Sequence, residues 1–383
     1  MMLGKTVSTR TASRGEPEEH PDFIGKMKFT ISVSPSLSRG NMKLLTSRAS
    51  LERLSKNRNR IQDINFTCHI PPFSRDAHGV YLSPAENMLH LRDMIQVQKK
   101  TGIPISPVFN DIHTPNHEQN LALFIKHFQP LYDLGIRSVS IPHVLWLKMG
   151  TFQTRFPDVK IKNTVLRRVR SGQELWNHAE AGYDYINLDR VIVRDRRALR
   201  EVHAAQQMFL KQTGKRVLTS ILHGEGCLGN CPLWEEHYQH TLTHPQADEN
   251  PLKNLEIFRY PQHFSCLSFT DHIILPLISA GLPHFREDLN AVCQYVDVIK
   301  LGGRRAFQSL NDNLSLIEAF FDSKDDVLFD PPEILTYFAA NPSRYEKLLK
   351  TWRRRTQNCR FQCWGCRTCS ELIARYAAES NIP

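Results

Sequence analysis

Ser171-Gly-Gln-Glu-Leu-Trp-Asn-His-Ala-Glu-Ala181 runs into Gly182 and then into Tyr183-Asp-Tyr-Ile-Asn-Leu188, and this order of helix, glycine and strand decides the fold. Glycine takes the left-handed conformation that ends a helix at little cost, so it marks where one element stops and the next starts. The pattern recurs at Gly102, Gly135 and Gly214, each following a helical stretch and each within three residues of a β-branched or apolar run. The helices so delimited are Ala85–Lys100, after the Ser83-Pro84 start signal, Glu118–Leu134, Ser171–Ala181 and Arg194–Thr213. Outward from them, eight strands are expected: Lys28–Val33, Ile64–Cys68, Ile105–Asn110, Ser138–Ile141, Val159–Asn163, Tyr183–Leu188, Val217–Leu222 and Val296–Leu301. Strands alternating with helices imply parallel pairing through right-handed crossovers. An open doubly wound sheet would share the local pattern, but it would want a glycine-rich phosphate turn after its first strand, and Ser34-Pro-Ser-Leu-Ser-Arg-Gly40 is a poor one. The expected fold is therefore α/β, a (β/α)8 TIM-like barrel over residues 27–330, with a C-terminal helical, cysteine-rich appendage over 331–383. Residues 1–26, with few apolar side chains and no period, are expected to be a disordered leader.

Composition narrows the setting. A 383-residue chain that is 41% apolar can fill one large domain. No run approaches the roughly 18 apolar residues that cross a bilayer, and no apolar segment with a small-residue cleavage site opens the chain. A cytoplasmic protein without a membrane association is the expectation, and in that reducing compartment nine cysteines point to metal or redox chemistry rather than to disulfides. The net charge of +10 admits a polyanionic partner such as RNA, although the basic residues are spread along the whole chain.

Barrel active sites gather where strands end, at the face formed by the following loops. The strand ends here supply Cys68 and His69, Asn110, Asp111 and His113, His143, Asn163, Asp189 and Arg190, His223 and Glu225, and Lys300 with Arg304 and Arg305. Asp189, His223, Glu225 and Arg304 are the candidate catalytic set. Lys300-Leu-Gly-Gly-Arg304-Arg305 could hold an anion through backbone N–H groups and guanidinium forks, or could simply close the barrel.

The cysteines divide into two groups. His223-Gly-Glu-Gly-Cys227-Leu-Gly-Asn-Cys231-Pro follows the seventh strand, and Cys266 lies in the same long connection. With Cys68 as fourth ligand, at the end of strand two, these thiolates form one candidate site. Cys359, Cys363, Cys366 and Cys369 fall within eleven residues and form the other. Thiolate-rich sets select iron–sulfur clusters or zinc, and spacing alone does not separate the two, so zinc stands beside [4Fe–4S] at the tail quartet. The first three tail cysteines have the Cys-x3-Cys-x2-Cys spacing of radical S-adenosylmethionine enzymes, but such a motif follows an early barrel strand, not the C-terminus. Cys293 faces no evident partner and is assigned to the core.

The order of motifs resembles the U32 peptidase superfamily, especially its bacterial branch with a Gly-Cys-Leu-x-Asn-Cys-Pro loop. The resemblance covers most of residues 28–370. It includes Gly79-Val-Tyr-Leu-Ser83, Pro107-Val-Phe-Asn110 with Asn116 and Glu118, Gly135-Ile-Arg-Ser-Val139, and Asn187-Leu-Asp189 with Arg194-Asp195. Loop 226–237 and Arg286-Glu-Asp288-Leu289 followed by Ile299-Lys-Leu-Gly-Gly-Arg304 complete it. The resemblance implies a TIM-like barrel, a [4Fe–4S] cluster on barrel cysteines, and oxygen-independent hydroxylation of RNA bases or of small aromatic quinone precursors. The chain departs from the family in the spacing of Cys227 and Cys231, in the tail quartet and in its leader. An iron–sulfur enzyme with two clusters is thus the leading expectation. A non-catalytic scaffold or electron carrier, serving a partner protein in a modification complex, is the alternative. Peptidase chemistry ranks last, because no Ser/His/Asp set and no His-Glu-x-x-His motif is present.

Overall fold

In a computed structural model of the chain, the structure describes residues 21–33, 45–74, 83–223, 282, 285–301, 310–322, 342–356 and 371. Eight parallel strands close a barrel in chain order: β1 Lys28–Val33, β2 Ile61–Thr67, β3 Ile105–Val108, β4 Ser138–Ser140, β5 Lys160–Lys162, β6 Tyr185–Asn187, β7 Leu218–His223 and β8 Val298–Leu301. Closure is made by β1 against β8, with Phe29 opposite Ile299 and Thr30 opposite Lys300.

The helices on the outside are α1 Arg48–Lys56, α2 Pro84–Thr101, α3 Glu118–Asp133, α4 Val144–Lys148, α5 Thr151–Arg155, α6 Gly172–Ala181, α7 Arg196–Thr213, α8 Arg286–Cys293, α9 Leu310–Asp322 and α10 Pro342–Thr356. No helix among the described residues is long and apolar enough to cross a membrane. Capping boxes start α2 at Ser83 with Glu86 and α6 at Ser171 with Glu174. Gly102, Gly182 and Gly214 end α2, α6 and α7 with φ of 69°, 113° and 70°. Gly135, one residue beyond the cap of α3, has φ of 95°. The connection from β4 to β5 holds two five-residue helices, α4 and α5, which are too short for a 3.6-residue period to show in the sequence.

Alternation along each strand sends one set of side chains outward to the helices and the other into the lumen. Outward-facing Phe29 meets Phe320 of α9 with ring centroids 4.9 Å apart, so residues 310–322 belong to the barrel's outer layer. Phe73, Phe124, Phe128, Trp146 and Phe152 form an aromatic cluster in that layer, around α3, α4 and α5. In the stretch expected to be a tail, α10 reaches back to the barrel: Arg353 bonds Glu287 and Asp288 of α8 and lies over the Phe285 ring.

Order begins earlier than the composition of the leader suggests. Ile24–Lys26 form a 3-10 turn, and Ile24 is buried. The Asn290 carboxamide on α8 accepts the N–H groups of Phe23 and Ile24 and donates to the Pro21 carbonyl. One apolar side chain and one bridging amide suffice to fix this segment, and a low apolar count cannot reveal that. Residues 1–20 lie outside the described residues.

At Gly172, α6 lies close against α7. A Cβ there would stand 2.8 Å from the Glu201 carbonyl oxygen and 3.1 Å from the Ala205 Cβ. Gly172→Ala is therefore expected to lower stability by about 1–3 kcal/mol despite alanine's better helix propensity. Urea unfolding followed by far-UV dichroism checks this; an unchanged or raised midpoint would show that the two helices have room to part.

Candidate active site

The inward-facing positions are polar where barrels usually stack Val, Ile and Leu. Thr30 and Ser32 on β1, Asp63, Asn65 and Thr67 on β2, Ser106 on β3 and Ser140 on β4 are all buried. Across the lumen from β2, Lys162 extends from the end of β5. Its ammonium bonds the Asp63 carboxylate and the Asn65 side-chain oxygen, and lies 5.1 Å from the Tyr185 ring centroid. The other Asp63 oxygen accepts from the Thr30 hydroxyl at 2.6 Å, and that hydroxyl is 3.1 Å from the Tyr185 phenol. Lys162 is 1% exposed, and loss of hydration pulls its pKa down, an effect that the Asp63 charge partly reverses. Burial drives the Tyr185 phenol well above its ordinary value, so the ring stays a neutral hydrogen-bonding group. The amide nitrogen of Asn65, the Ser140 hydroxyl and the amide oxygen of Asn110 are buried without a hydrogen-bond partner.

At the C-terminal mouth, Asp189 is buried and fully engaged. Its carboxylate takes the Arg168 and Arg170 side chains at 3.2 and 2.7 Å and caps the Val191 N–H at 3.2 Å. Its evident work is to gather two guanidinium groups on the rim. Arg168 itself adopts φ of 53°, an uncommon backbone conformation for a non-glycine residue. Arg167 bonds the Pro142 carbonyl and faces His143 Nδ1 at 3.4 Å. Burial, helped by the Arg167 charge and opposed by Asp111, lowers His143 to a pKa of about 4. Because a guanidinium only donates, Nδ1 of the neutral ring faces it as the acceptor and Nε2 carries the hydrogen. Asp111 closes its own loop by accepting from the N–H groups of His113 and Thr114. Val165, Leu166 and Leu222, with Ile112 against them, form an apolar cluster at this end.

His223 ends β7 and accepts the Leu282 N–H on Nδ1 at 3.0 Å. Strand alternation from Ser220 and Leu222 places it on the helix side of the strand. Cys68 is buried too. It continues the outward set of Ile64 and Phe66, and its thiol meets Asn87 of α2, while burial pushes its pKa up to about 12. Asn87 also bridges the N–H and carbonyl of His69. Cys293 packs in the core, in line with its assignment.

Glu225, Cys227, Cys231, Cys266, Arg304, Arg305, Cys359, Cys363, Cys366 and Cys369 lie outside the described residues. Among the described residues no group of three or more His, Cys, Asp or Glu side chains could hold a metal ion. A cluster suits the donor chemistry of the cysteine loop and of the tail quartet, but Cys68, the described member of the first set, sits beneath α2 rather than in the lumen. Asp189, Asp111, His143 and Lys300 are among the strand-end residues that are buried. A reading of strand ends passes over Asp63 and Asn65, which lie inside β2, and over Ser140, Lys162 and Tyr185, which end or begin β4, β5 and β6 but fall within the longer runs expected there. The signal was present: Thr30 and Ser32 alternate with Phe29, Ile31 and Val33, as Asp63, Asn65 and Thr67 do with Ile64 and Phe66. In a parallel barrel strand such alternation means a polar interior.

No family model matches the chain, and no curated protein does. Among solved structures, the chain is similar to a designed cube-shaped, highly porous protein cage built by fusing symmetric oligomeric domains, at 8% identity and a TM-score of 0.34, over 93% of this chain and 87% of that one. It is similar to the tryptophan synthase α2β2 complex of the hyperthermophile Pyrococcus furiosus at 12% identity and a TM-score of 0.30, over 57% of this chain and 83% of that one. It is also similar to the U32 peptidase Mk0906, at 12% identity and a TM-score of 0.45, over 77% of this chain and 99% of that one.

Proposed function

We propose that this chain is an iron–sulfur enzyme that carries out a redox modification, with its substrate entering the barrel from the C-terminal mouth. The observation that supports catalysis over a purely structural role is the buried Lys162–Asp63 pair in a polar lumen. A charged pair removed from water is costly to maintain, and well-packed apolar residues of similar volume commonly serve stability as well or better. The loop that follows β7 carries Cys227 and Cys231, so a cluster held there would lie at the face where barrels do chemistry. Bound, such a cluster would supply one-electron chemistry. The protein's own contribution is to hold the substrate: Arg168 and Arg170, gathered by Asp189, attract an anionic group, and neutral His143 is set as a hydrogen-bonding group at the rim. Hydroxylation of an RNA base or of a small aromatic acid, with oxygen from a donor other than dioxygen, fits that division of labour.

Anaerobic purification with iron, sulfide and zinc analysis tests the proposal. The expected protein is brown and holds about eight irons, four for each of two clusters. Cys363→Ser is expected to remove about half the iron and leave the barrel's far-UV dichroism unchanged. A colourless protein with stoichiometric zinc and no iron would overturn the redox reading.

A further inference from the structure

The lumen contains a reactive group that neither the cysteines nor the arginines of the mouth account for. Lys162 hydrogen-bonds Asp63 and Asn65, and two buried polar atoms on residues that neighbour it, one by hydrogen bond and one by strand register, have no partner. One is the Asn65 amide nitrogen, on the carboxamide whose oxygen already holds the lysine. The other is the hydroxyl of Ser140, which pairs directly with Lys162 across β4 and β5. Both residues are 1% exposed, and both atoms can donate. A buried donor left unmade costs about 1–3 kcal/mol, so two of them on residues that neighbour one lysine are what a merely packed core would avoid. A ligand oxygen accepting from both would remove that cost.

We infer that Lys162 is a Schiff-base lysine: its ε-amine condenses with a small aldehyde or ketone whose oxygen is held by Asn65 and Ser140, while Asp63 carries the proton. The steps balance without an oxidant or reductant. The ammonium passes a proton to Asp63, and the free amine attacks the carbonyl carbon. The carbonyl oxygen becomes the hydroxyl of a carbinolamine by taking a proton from the attacking nitrogen. Asp63 then returns its proton to that hydroxyl, which leaves as water, and a protonated imine remains beside the ionised carboxylate. The net change is ammonium plus carbonyl to iminium plus water. Desolvation favours the first step, since it raises the share of neutral amine. Tyr185, stacked near the nitrogen and kept neutral by burial, suits a cation that persists through the cycle.

The inference rests on the barrel being an enzyme, but not on what the cysteines bind, so its failure and that of the iron reading are separate. The full-length protein is incubated with propanal or pyruvate and sodium cyanoborohydride, then digested and mapped by mass spectrometry. The expected result is a reduced adduct on Lys162 that appears ahead of label on surface lysines. Ser140→Ala removes a hydroxyl that has no partner, so the variant should fold normally while its Lys162 adduct forms about tenfold more slowly, the worth of one hydrogen bond. Label confined to surface lysines, with the Lys162 peptide unmodified in a folded protein, would overturn the assignment. An unchanged rate in Ser140→Ala would overturn the placing of the carbonyl oxygen.

Discussion

Replacing Asp63 with alanine should cost about 3–5 kcal/mol of folding stability, because it leaves the Lys162 ammonium inside the barrel without its counter-charge. Lys162 is 1% exposed, and the Thr30 hydroxyl loses the Asp63 oxygen that it donates to in the same substitution. Domains of ordinary stability have about 5–15 kcal/mol in total, so the variant should sit close to unfolding at room temperature. The direction of a double mutant separates charge from packing. Lys162→Met introduced into Asp63→Ala removes the stranded charge, so the double variant should be more stable than Asp63→Ala alone and far from additive. Urea denaturation of the four proteins, with tryptophan fluorescence and far-UV dichroism as independent probes, measures the cycle. An Asp63→Ala protein within about 1 kcal/mol of the parent would mean that the ammonium is hydrated and the pair is not what holds it.

The second large effect is acid lability. His90 on α2 is buried against Phe66, neither ring nitrogen has a partner, and burial alone lowers its pKa from 6.5 to about 4. In the unfolded chain the imidazole has its ordinary affinity for a proton, so the unfolded state binds protons first as pH falls. Stability is complete above pH 6.5, declines as pH drops from 6.5 toward 4, and the loss levels off below about 4. A difference of this size corresponds to about 3 kcal/mol from His90 alone. His143, held neutral at the mouth, adds to the loss over the same window. His90→Leu keeps the apolar packing and removes the titration, so its unfolding free energy should fall less steeply between pH 7 and pH 4.5 than that of the parent. Parallel slopes for the two proteins would show that the ring finds water or a partner on protonation.

The barrel was legible because its punctuation is chemical. Gly102, Gly135, Gly182 and Gly214 all occupy the left-handed region that only glycine enters readily, and each precedes its strand as expected. β1 has the expected limits, Lys28–Val33, since its alternation is unbroken. Elsewhere the expected limits miss by one to three residues in either direction: Ile105–Asn110 runs past Ile105–Val108, while β2 starts at Ile61 instead of Ile64 and β7 ends at His223 instead of Leu222. At β3 the chain stays buried through Phe109 and Asn110, beyond the last paired residue, and burial beyond pairing looks the same in a sequence. The site was less legible because attention to strand ends favours loop residues. Lys162 read as an ordinary strand residue of Val159–Asn163, and only the register between strands shows that it shares the lumen with Asp63, 99 positions away. His223 and Cys68, by contrast, stand at strand ends but turn toward the helix layer, since one residue of register exchanges the two faces.

The pairing of β1 with β8 also bears on how the chain is made. Phe29 meets Ile299 only after about 270 further residues have been joined, which at ordinary synthesis rates takes roughly 15 to 50 seconds. Throughout that interval one edge of β1 has its permanent neighbour, β2, while the other presents open backbone groups bordered by Phe29, Ile31 and Val33. Such an edge is a template for any extended segment that passes. The nascent protein is therefore most vulnerable to wrong partners just before its last strand emerges, and a chain truncated ahead of Val298 would be expected to aggregate rather than rest as a folded fragment.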